Sequence, residues 1–444
     1  MSTQRTVELI GCMLVVAGFA ELTRIFFKIG YLPAPFVFDV GDTFMDWFNT
    51  AYWSHNPGAY SVWQTIYLPL SFIIIRILGD PRCYGTHPYD ARDCDVVGIV
   101  AIVLIYLACV IVSATAFYRR DRSTALFRSV GIAFGGPLLF ALERGNLIMV
   151  AYIAFVLLYG GLLKSRNSLA LAGGVLVNMK VYLLFPIFAF AIKRNWRTFE
   201  LCGIAAIAIY LASIVIVGAG TPFELARNLE AWFNLRAGTV WDEILYSTTY
   251  KPYLLLDERQ YPIRDYIEQR WVDIVKAFVT YEVIASRAVA ILCIGWAWFY
   301  PKAVPMNRLI FFILMQSFIV QNPGGYAITF LLFVVFLEPW KNGATATAIV
   351  CAYLMCIPTD MTITPIVEIT REAWLSQRTV NNVYALPFGA LVRPGILLVM
   401  LWSLAIDTLR DLHRATKAGP PSFGLSLRQS RAPQPASPAP LAYV

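Results

Sequence analysis

Two aspartates four residues apart raise the question of chemistry. Asp42 and Asp46 lie in the stretch Val40-Gly-Asp-Thr-Phe-Met-Asp-Trp-Phe-Asn-Thr-Ala-Tyr-Trp53. If that stretch is helical, both acids share one face, with Cβ atoms about 5–6 Å apart. Phe44, Trp47, Phe48 and Tyr52 surround them. A carboxylate in such a wall at a membrane boundary can serve as a general base for a hydroxyl nucleophile. The same residues would also suit an interfacial amphipathic helix with solvated acids. Three cations could face an anionic leaving group. Lys180 stands in Asn178-Met-Lys-Val-Tyr182, between two apolar runs too short to cross a bilayer comfortably. Arg144 stands in Glu143-Arg-Gly-Asn146, and Arg393 in Leu391-Val-Arg-Pro-Gly395. Cations inside membrane segments are costly and point to polar cavities, and arginine suits phosphate. Each has a structural alternative: Lys180 can snorkel to headgroups, Arg144 can cap its helix, and Arg393 can pair with Asp360 or Glu368. Trp47, Tyr52, Trp53, Trp232, Trp241 and Tyr253 offer stacking faces, although aromatic residues also anchor at interfaces. His55, after the aromatic stretch, is a weaker candidate, and His87 weaker still. Asp93-Cys94-Asp95 has the acid-x-acid spacing of a metal chelator. It immediately precedes an apolar run, where two acids complement a helix dipole, and we expect no metal. A Gly-rich phosphate loop is missing, which argues against a nucleotide-bound donor.

The elements that must position these residues are transmembrane helices. The chain of 444 residues is 58% hydrophobic and 14% charged, with a mean hydropathy of +0.61. Soluble domains average about 45–50% apolar and 25% charged residues. The composition therefore predicts an all-α polytopic membrane protein. The net charge of +8 comes without any nucleic-acid motif, and nucleic acid is excluded as a partner. The first apolar run, Val7–Ile29, reads as an uncleaved span. Basic loops at 119–122, 164–166, 193–197, 302–308 and 341 and in the tail can all be cytoplasmic if Ser61–Leu78 does not cross. This predicts about 12 spans in residues 1–406, with both termini inside and a disordered cytoplasmic tail at 407–444. Three outer segments remain: 31–95, with interfacial helices and seven aspartates against three arginines, 218–280, and 359–385. Cys83 and Cys94 share the first and could pair in an oxidising compartment. The other cysteines lie in apolar runs.

The order of these motifs resembles the GT-C membrane glycosyltransferases, most closely glycosyltransferase family 87, with its polyprenyl-phosphate-mannose-dependent mannosyltransferases. The resemblance rests on Asp42-Thr-Phe-Met-Asp-Trp-Phe48, Tyr67-Leu-Pro-Leu70, Arg144-Gly-Asn146, Gly173-Gly through Lys180 to Pro186, and Lys193-Arg-Asn-Trp-Arg197. Gln321-Asn-Pro-Gly-Gly-Tyr326 is similar to a late loop of the family. The proline follows Lys180 by six residues, later than in the family pattern, and an extra residue follows the first aspartate. The resemblance implies a GT-C-like bundle in a bacterial inner membrane with an extracytoplasmic active site. It implies inverting transfer of a hexose such as mannose from a polyprenyl-phosphate donor to a lipid-linked or glycan acceptor, with no cofactor. Asp42, with Asp46 in reserve, would be the base. Lys180, Arg144 and Arg393 would bind donor phosphate, and Trp47, Tyr52, His55, Asn146 and Tyr182 would contact sugar or acceptor. The competing readings are a transporter or flippase of a lipid-linked or anionic substrate, a non-catalytic polysaccharide-assembly subunit, and an O-antigen-ligase-like transferase using an undecaprenyl-diphosphate donor. A second copy of the Asn-Met-Lys break, expected of a transporter with internal repeats, is missing.

Overall fold

The computed structural model describes residues 2–36, 39–234, 249–259, 261, 263–319 and 324–418. Trp241, Gln321-Asn-Pro323 and the tail from 419 onward lie outside the described residues, as does the side chain of Trp232. The described chain is mostly helical. Helix α1 (Thr3–Ile29) is capped by Ser2 and closed by Gly30 at φ 83°. Segment 31–95 contains three short helices: α2 (Met45–His55), α3 (Pro69–Leu78) and α4 (Pro88–Cys94). Helix α5 (Val96–Arg120) follows, its N-terminus capped by the Asp95 side chain. Helices α6 (Ala125–Ala133) and α7 (Gly136–Arg144) form one broken rod, interrupted where Pro137 starts a new first turn. Next come α8 (Ile148–Tyr159), α9 (Arg166–Met179), a 3-10 stretch at Val181–Ile187, α10 (Phe188–Ile192), α11 (Trp196–Val217) and α12 (Pro222–Asn234). The remainder comprises α13 (Lys251–Leu254), α14 (Gln269–Phe299), α15 (Met306–Phe318), α16 (Ile328–Phe336), α17 (Gly343–Cys356), strands β1 (Thr362–Ala373) and β2 (Arg378–Pro387), and α18 (Phe388–Ala418).

Among the described residues, six helical segments are long and apolar enough to cross a membrane: Thr3–Ile29, Val96–Arg120, Ala125–Arg144, Trp196–Val217, Gln269–Phe299 and Phe388–Ala418. The chain is a membrane protein by that measure. Ile204, Ile207, Leu211 and Val215 on α11, and Ile284 and Ile291 on α14, stand exposed, as lipid-facing apolar residues would. Helices α15, α16 and α17 are shorter and lie inside the bundle. Phe311, Phe312, Phe318, Phe330 and Phe333 are fully buried there. A helix of 12 residues such as α8 rises only about 18 Å at 1.5 Å per residue, so such helices depend on packing against longer neighbours.

The bundle has two chemically distinct ends. At one, Arg5 donates to Ser123 O, Arg119 to Leu162 O, Arg120 to Leu337 O and Arg194 to Trp298 O, and Lys341 pairs with Asp411 at 2.6 Å. The basic loops are thus mutual neighbours. Buried charges just inside this end are paired, as burial demands. Arg128 meets Glu8 at 2.7 Å, and Arg308 meets Glu338 at 2.7 Å and Asp407 at 2.9 Å. These pairs correct the expected boundary of the tail: α18 continues through 407–418 because Asp407 and Asp411 are anchored to Arg308 and Lys341. The other end carries the described residues of segments 31–95, 218–280 and 359–385. Helix α3 starts and finishes there: Pro69 lies beside Gly220 and Tyr60, and Gly79 beside Asp95 and Tyr84.

The all-α expectation also needs amendment. Segment 359–385 contains most of an antiparallel hairpin, β1 against β2, in register from Glu368↔Val383 to Ala373↔Arg378. Thr362-Ile-Thr-Pro-Ile-Val-Glu-Ile-Thr370 is rich in β-branched residues, which favour a pleated strand over a helix.

Candidate functional site

The site is built where α2 meets the turn after α7. Helix α7 ends at Arg144, and Gly145 turns the chain at φ 62°. A Cβ there would come within 3.0 Å of Trp47 Cβ and 3.2 Å of Phe44 Cα. Only glycine lets the turn press so closely on α2. On the facing side Phe44 itself adopts φ 65°, an uncommon conformation for a bulky residue. Its N–H donates to Glu143 O at 2.7 Å. The two unusual backbones lock together and aim the side chains on either side of them.

Arg144 donates from Nη1 to Asp42 Oδ2 at 2.9 Å and from Nη2 to Asp46 Oδ1 at 2.8 Å. Asn146 Nδ2 donates to Asp46 Oδ2 at 2.6 Å, while its Oδ1 accepts from Ile148 N–H at 2.8 Å. Tyr89 Oη donates to Asp42 Oδ1 at 3.1 Å. One guanidinium therefore spans both carboxylates. Asp42 is the more open acid, with 29% of its side chain exposed against 21% for Asp46 and 15% for Arg144. Lys180 has an extended backbone at the end of α9. Its ammonium sits 4.2 Å from the centroid of the Tyr67 ring and interacts electrostatically with Asp46. Tyr67 and Tyr326 also feel the Asp46 charge; Tyr67 is hydrogen-bonded to Thr50 and Tyr326 to Asn146. Tyr182 lies next to Tyr326 and edge-on to Phe318 at 5.7 Å. Burial, followed by the charge of Asp42 and its hydrogen bond, holds the Tyr89 phenol above its ordinary value. It therefore remains a donor at neutral pH.

The fold thus gathers Asp42, Asp46, Arg144, Asn146, Lys180 and Tyr182 into one neighbourhood. Other sequence candidates go elsewhere. Trp47 is 1% exposed; it is the wall behind the acids and offers no face for a sugar. Tyr52 meets Trp63 edge-on at 5.7 Å. His55 is stacked on Tyr84 at 4.4 Å, with Nδ1 2.9 Å from Ala51 O. It is nine residues beyond Asp46, about 13 Å along the helix. Arg393 pairs with Asp360 at 2.7 Å in a separate depression lined by Glu21, Ile25, Thr359 and Phe388. That pairing was one of the structural alternatives, and it takes Arg393 away from the acids. Arg144, expected to hold phosphate, instead gives two of its nitrogens to the carboxylates.

Tyr89, Tyr67 and Tyr326 enter the site without having been singled out as site residues. The signal for Tyr89 was faint: Pro88 in a first turn with Tyr89 and Arg92 three apart on one face. A disulfide joins Cys83 and Cys94, Cα atoms 5.6 Å apart, and tethers α4 beneath Tyr89. Arg92 fastens α4 to the acidic loop by donating to Gly41 O at 2.5 Å and Thr43 O at 2.9 Å. Asp93 and Asp95 diverge. Asp93 accepts from Trp374 Nε1 at 2.7 Å, and Asp95 accepts from Gly98 N–H and from Tyr84 Oη. The hairpin tip covers this end of the cluster: Trp374 meets Phe44 edge-on at 5.5 Å, and its backbone N–H donates to Val40 O at 3.3 Å. No family model, curated protein or solved structure matches the chain.

Proposed function

We propose that this chain is an integral-membrane glycosyltransferase of the polyprenyl-phosphate-sugar-dependent kind. It moves a hexose such as mannose to a lipid-linked or glycan acceptor on the extracytoplasmic face, with inversion and without a cofactor. The observation that carries this reading is the Asp42–Arg144–Asp46 cluster with Lys180 beside it, at the end of the bundle opposite the basic loops. In the topology we propose, twelve segments cross. Helices α6 and α7 count as one segment, the 3-10 stretch with α10 counts as another, and α2, α3, α4, α12 and α13 stay outside. Lysine and arginine in short loops favour the cytoplasmic side, which assigns the site to the other face of a bacterial inner membrane. The disulfide agrees with an oxidising compartment there.

The chemistry follows from the positions. The acceptor hydroxyl attacks C1 of the sugar as Asp42, the more open acid, takes its proton. The C1–O bond to phosphate breaks, and its electron pair leaves with the polyprenyl phosphate. The phosphate leaves readily, so no second acid of the glycosidase kind is needed. Lys180 stabilises the departing charge from the inner side of the cluster, and Asp46, Asn146 and Arg144 hold Asp42 in place. The test is donor consumption by the purified protein in lipid, across polyprenyl-phosphate mannose and other polyprenyl-phosphate sugars, with Asp42→Asn and Asp46→Asn alongside. Loss of transfer by about 10²–10⁴-fold in Asp42→Asn is expected. Loss in Asp46→Asn alone would move the base to Asp46, and no turnover with any donor would refute the reading.

A further inference from the structure

The cleft outside Asp42 has a composition of its own. It has a volume of about 700 Å³, within the range of ligand sites, and is lined by Gly41, Tyr89, Arg92, Asp93, Glu372, Trp374 and Gln377 among others. One wall is α4, held by the disulfide; the other is the hairpin tip. Arg92 lies between two rings, 5.3 Å from the Tyr89 centroid and 4.7 Å from that of Trp374. The inner end reaches the site directly, because Tyr89 lines the cleft and its hydroxyl rests on Asp42.

We infer that this cleft between α4 and the hairpin tip is the acceptor site, and that it takes an uncharged oligosaccharide chain end. The inference rests on the transferase reading above. Four features support it. The parts of the Tyr89 and Trp374 rings that Arg92 and His87 leave uncovered provide apolar surface for sugar C–H groups. Asp93 on the α4 wall, and Glu372 and Gln377 on the hairpin wall, offer acceptors for hydroxyl donors. The formal charge of the lining is negative, two carboxylates against one guanidinium. That arginine is only 4% exposed, gives Nη1 to both Gly41 O and Thr43 O, and has Nε 3.6 Å from Asp93 Oδ1, so its charge is turned mainly on the protein's own acceptors. An acceptor hydroxyl entering from the outer end meets Asp42 Oδ1 by displacing the Tyr89 phenol. The base and the sugar site are then one continuous surface.

The test separates this inference from the transferase reading by measuring binding without turnover. The full chain in lipid nanodiscs, with no donor present, is titrated with a neutral mannotriose, a neutral chitotriose and the anionic trigalacturonate. Saturation-transfer NMR and tryptophan fluorescence report binding. At least one neutral trisaccharide is expected to bind at least tenfold tighter than trigalacturonate. Glu372→Lys, at an exposed strand position that does not endanger folding, should narrow that preference at least fivefold. Trp374→Ala should weaken neutral binding about tenfold. With donor present, Glu372→Lys should raise the KM for a neutral acceptor. Absence of neutral-sugar binding to the wild type, or a preference untouched by Glu372→Lys, overturns the inference even if donor is consumed. Sugar binding with no donor turnover would refute the transferase reading and leave an oligosaccharide site standing.

Discussion

Arg144 provides the sharpest test of how the acid cluster is held together. Replacing it by leucine leaves Asp42 and Asp46 facing the same space with no guanidinium between them. Each ion pair has N–O distances of 2.8–2.9 Å, so the charge centres are about 4 Å apart. At an effective dielectric of 20–40 that is worth about 2–4 kcal/mol per pair. With 15–29% of these side chains exposed, solvent screening reduces it to about 1–2 kcal/mol each, between the surface and buried limits. Arg144→Leu should therefore cost about 2–4 kcal/mol. Asp46→Asn removes one of the two charges the arginine neutralises. In an Arg144→Leu/Asp46→Asn double variant the damage should fall short of the sum by about 1–2 kcal/mol. Equilibrium unfolding in mixed micelles, followed by tryptophan fluorescence, measures all four corners of the cycle. Additivity within 0.5 kcal/mol would show that Arg144 does not serve as the shared counter-ion, and the account of the cluster would fail with it.

Three further outcomes follow from the same geometry. Gly145→Ala must hold φ 62° and push a methyl to 3.0 Å from Trp47 Cβ; it should destabilise by about 2 kcal/mol or more and lower any turnover, whereas an unchanged unfolding midpoint would contradict the packing. Cys83→Ser should cost about 2–3 kcal/mol, as expected for opening a short loop, and dithiothreitol should reproduce the shift in the wild type but leave the variant unmoved. The Tyr89 phenol is held above its ordinary value by burial and by Asp42, so its contribution to stability is complete below about pH 10 and is lost as pH rises through the folded value. Stability profiles of wild type and Tyr89→Phe should therefore run parallel from pH 6 to 9 and converge above pH 10; divergence at lower pH would be inconsistent with the raised value.

The membrane class of the chain was legible in one dimension, because crossing a bilayer demands long apolar runs whatever the neighbours do. The grouping of the basic loops was legible as well, since charge placement is a local property, and the structure brings those loops together. So was the break at Lys180, where a cation ends an apolar helix. The hairpin at Thr362–Pro387 carries a signal in its β-branched residues, and α18 outruns its expected end because Asp407 and Asp411 find partners elsewhere in the bundle, on Arg308 and Lys341. What no spacing could reveal was which cation meets which acid. Arg144 and Arg393 look alike in sequence, each an arginine at or near a helix end beside glycine or proline. One closes on Asp42 and Asp46 and the other on Asp360, a choice made by contacts 98 and 102 residues away in the first case and 33 in the second. Trp47 and Tyr89 traded places for the same reason. A side chain's role is fixed by what packs against it, and Trp47 faces the core, while Tyr89, carried by a disulfide-tethered helix, reaches the open carboxylate.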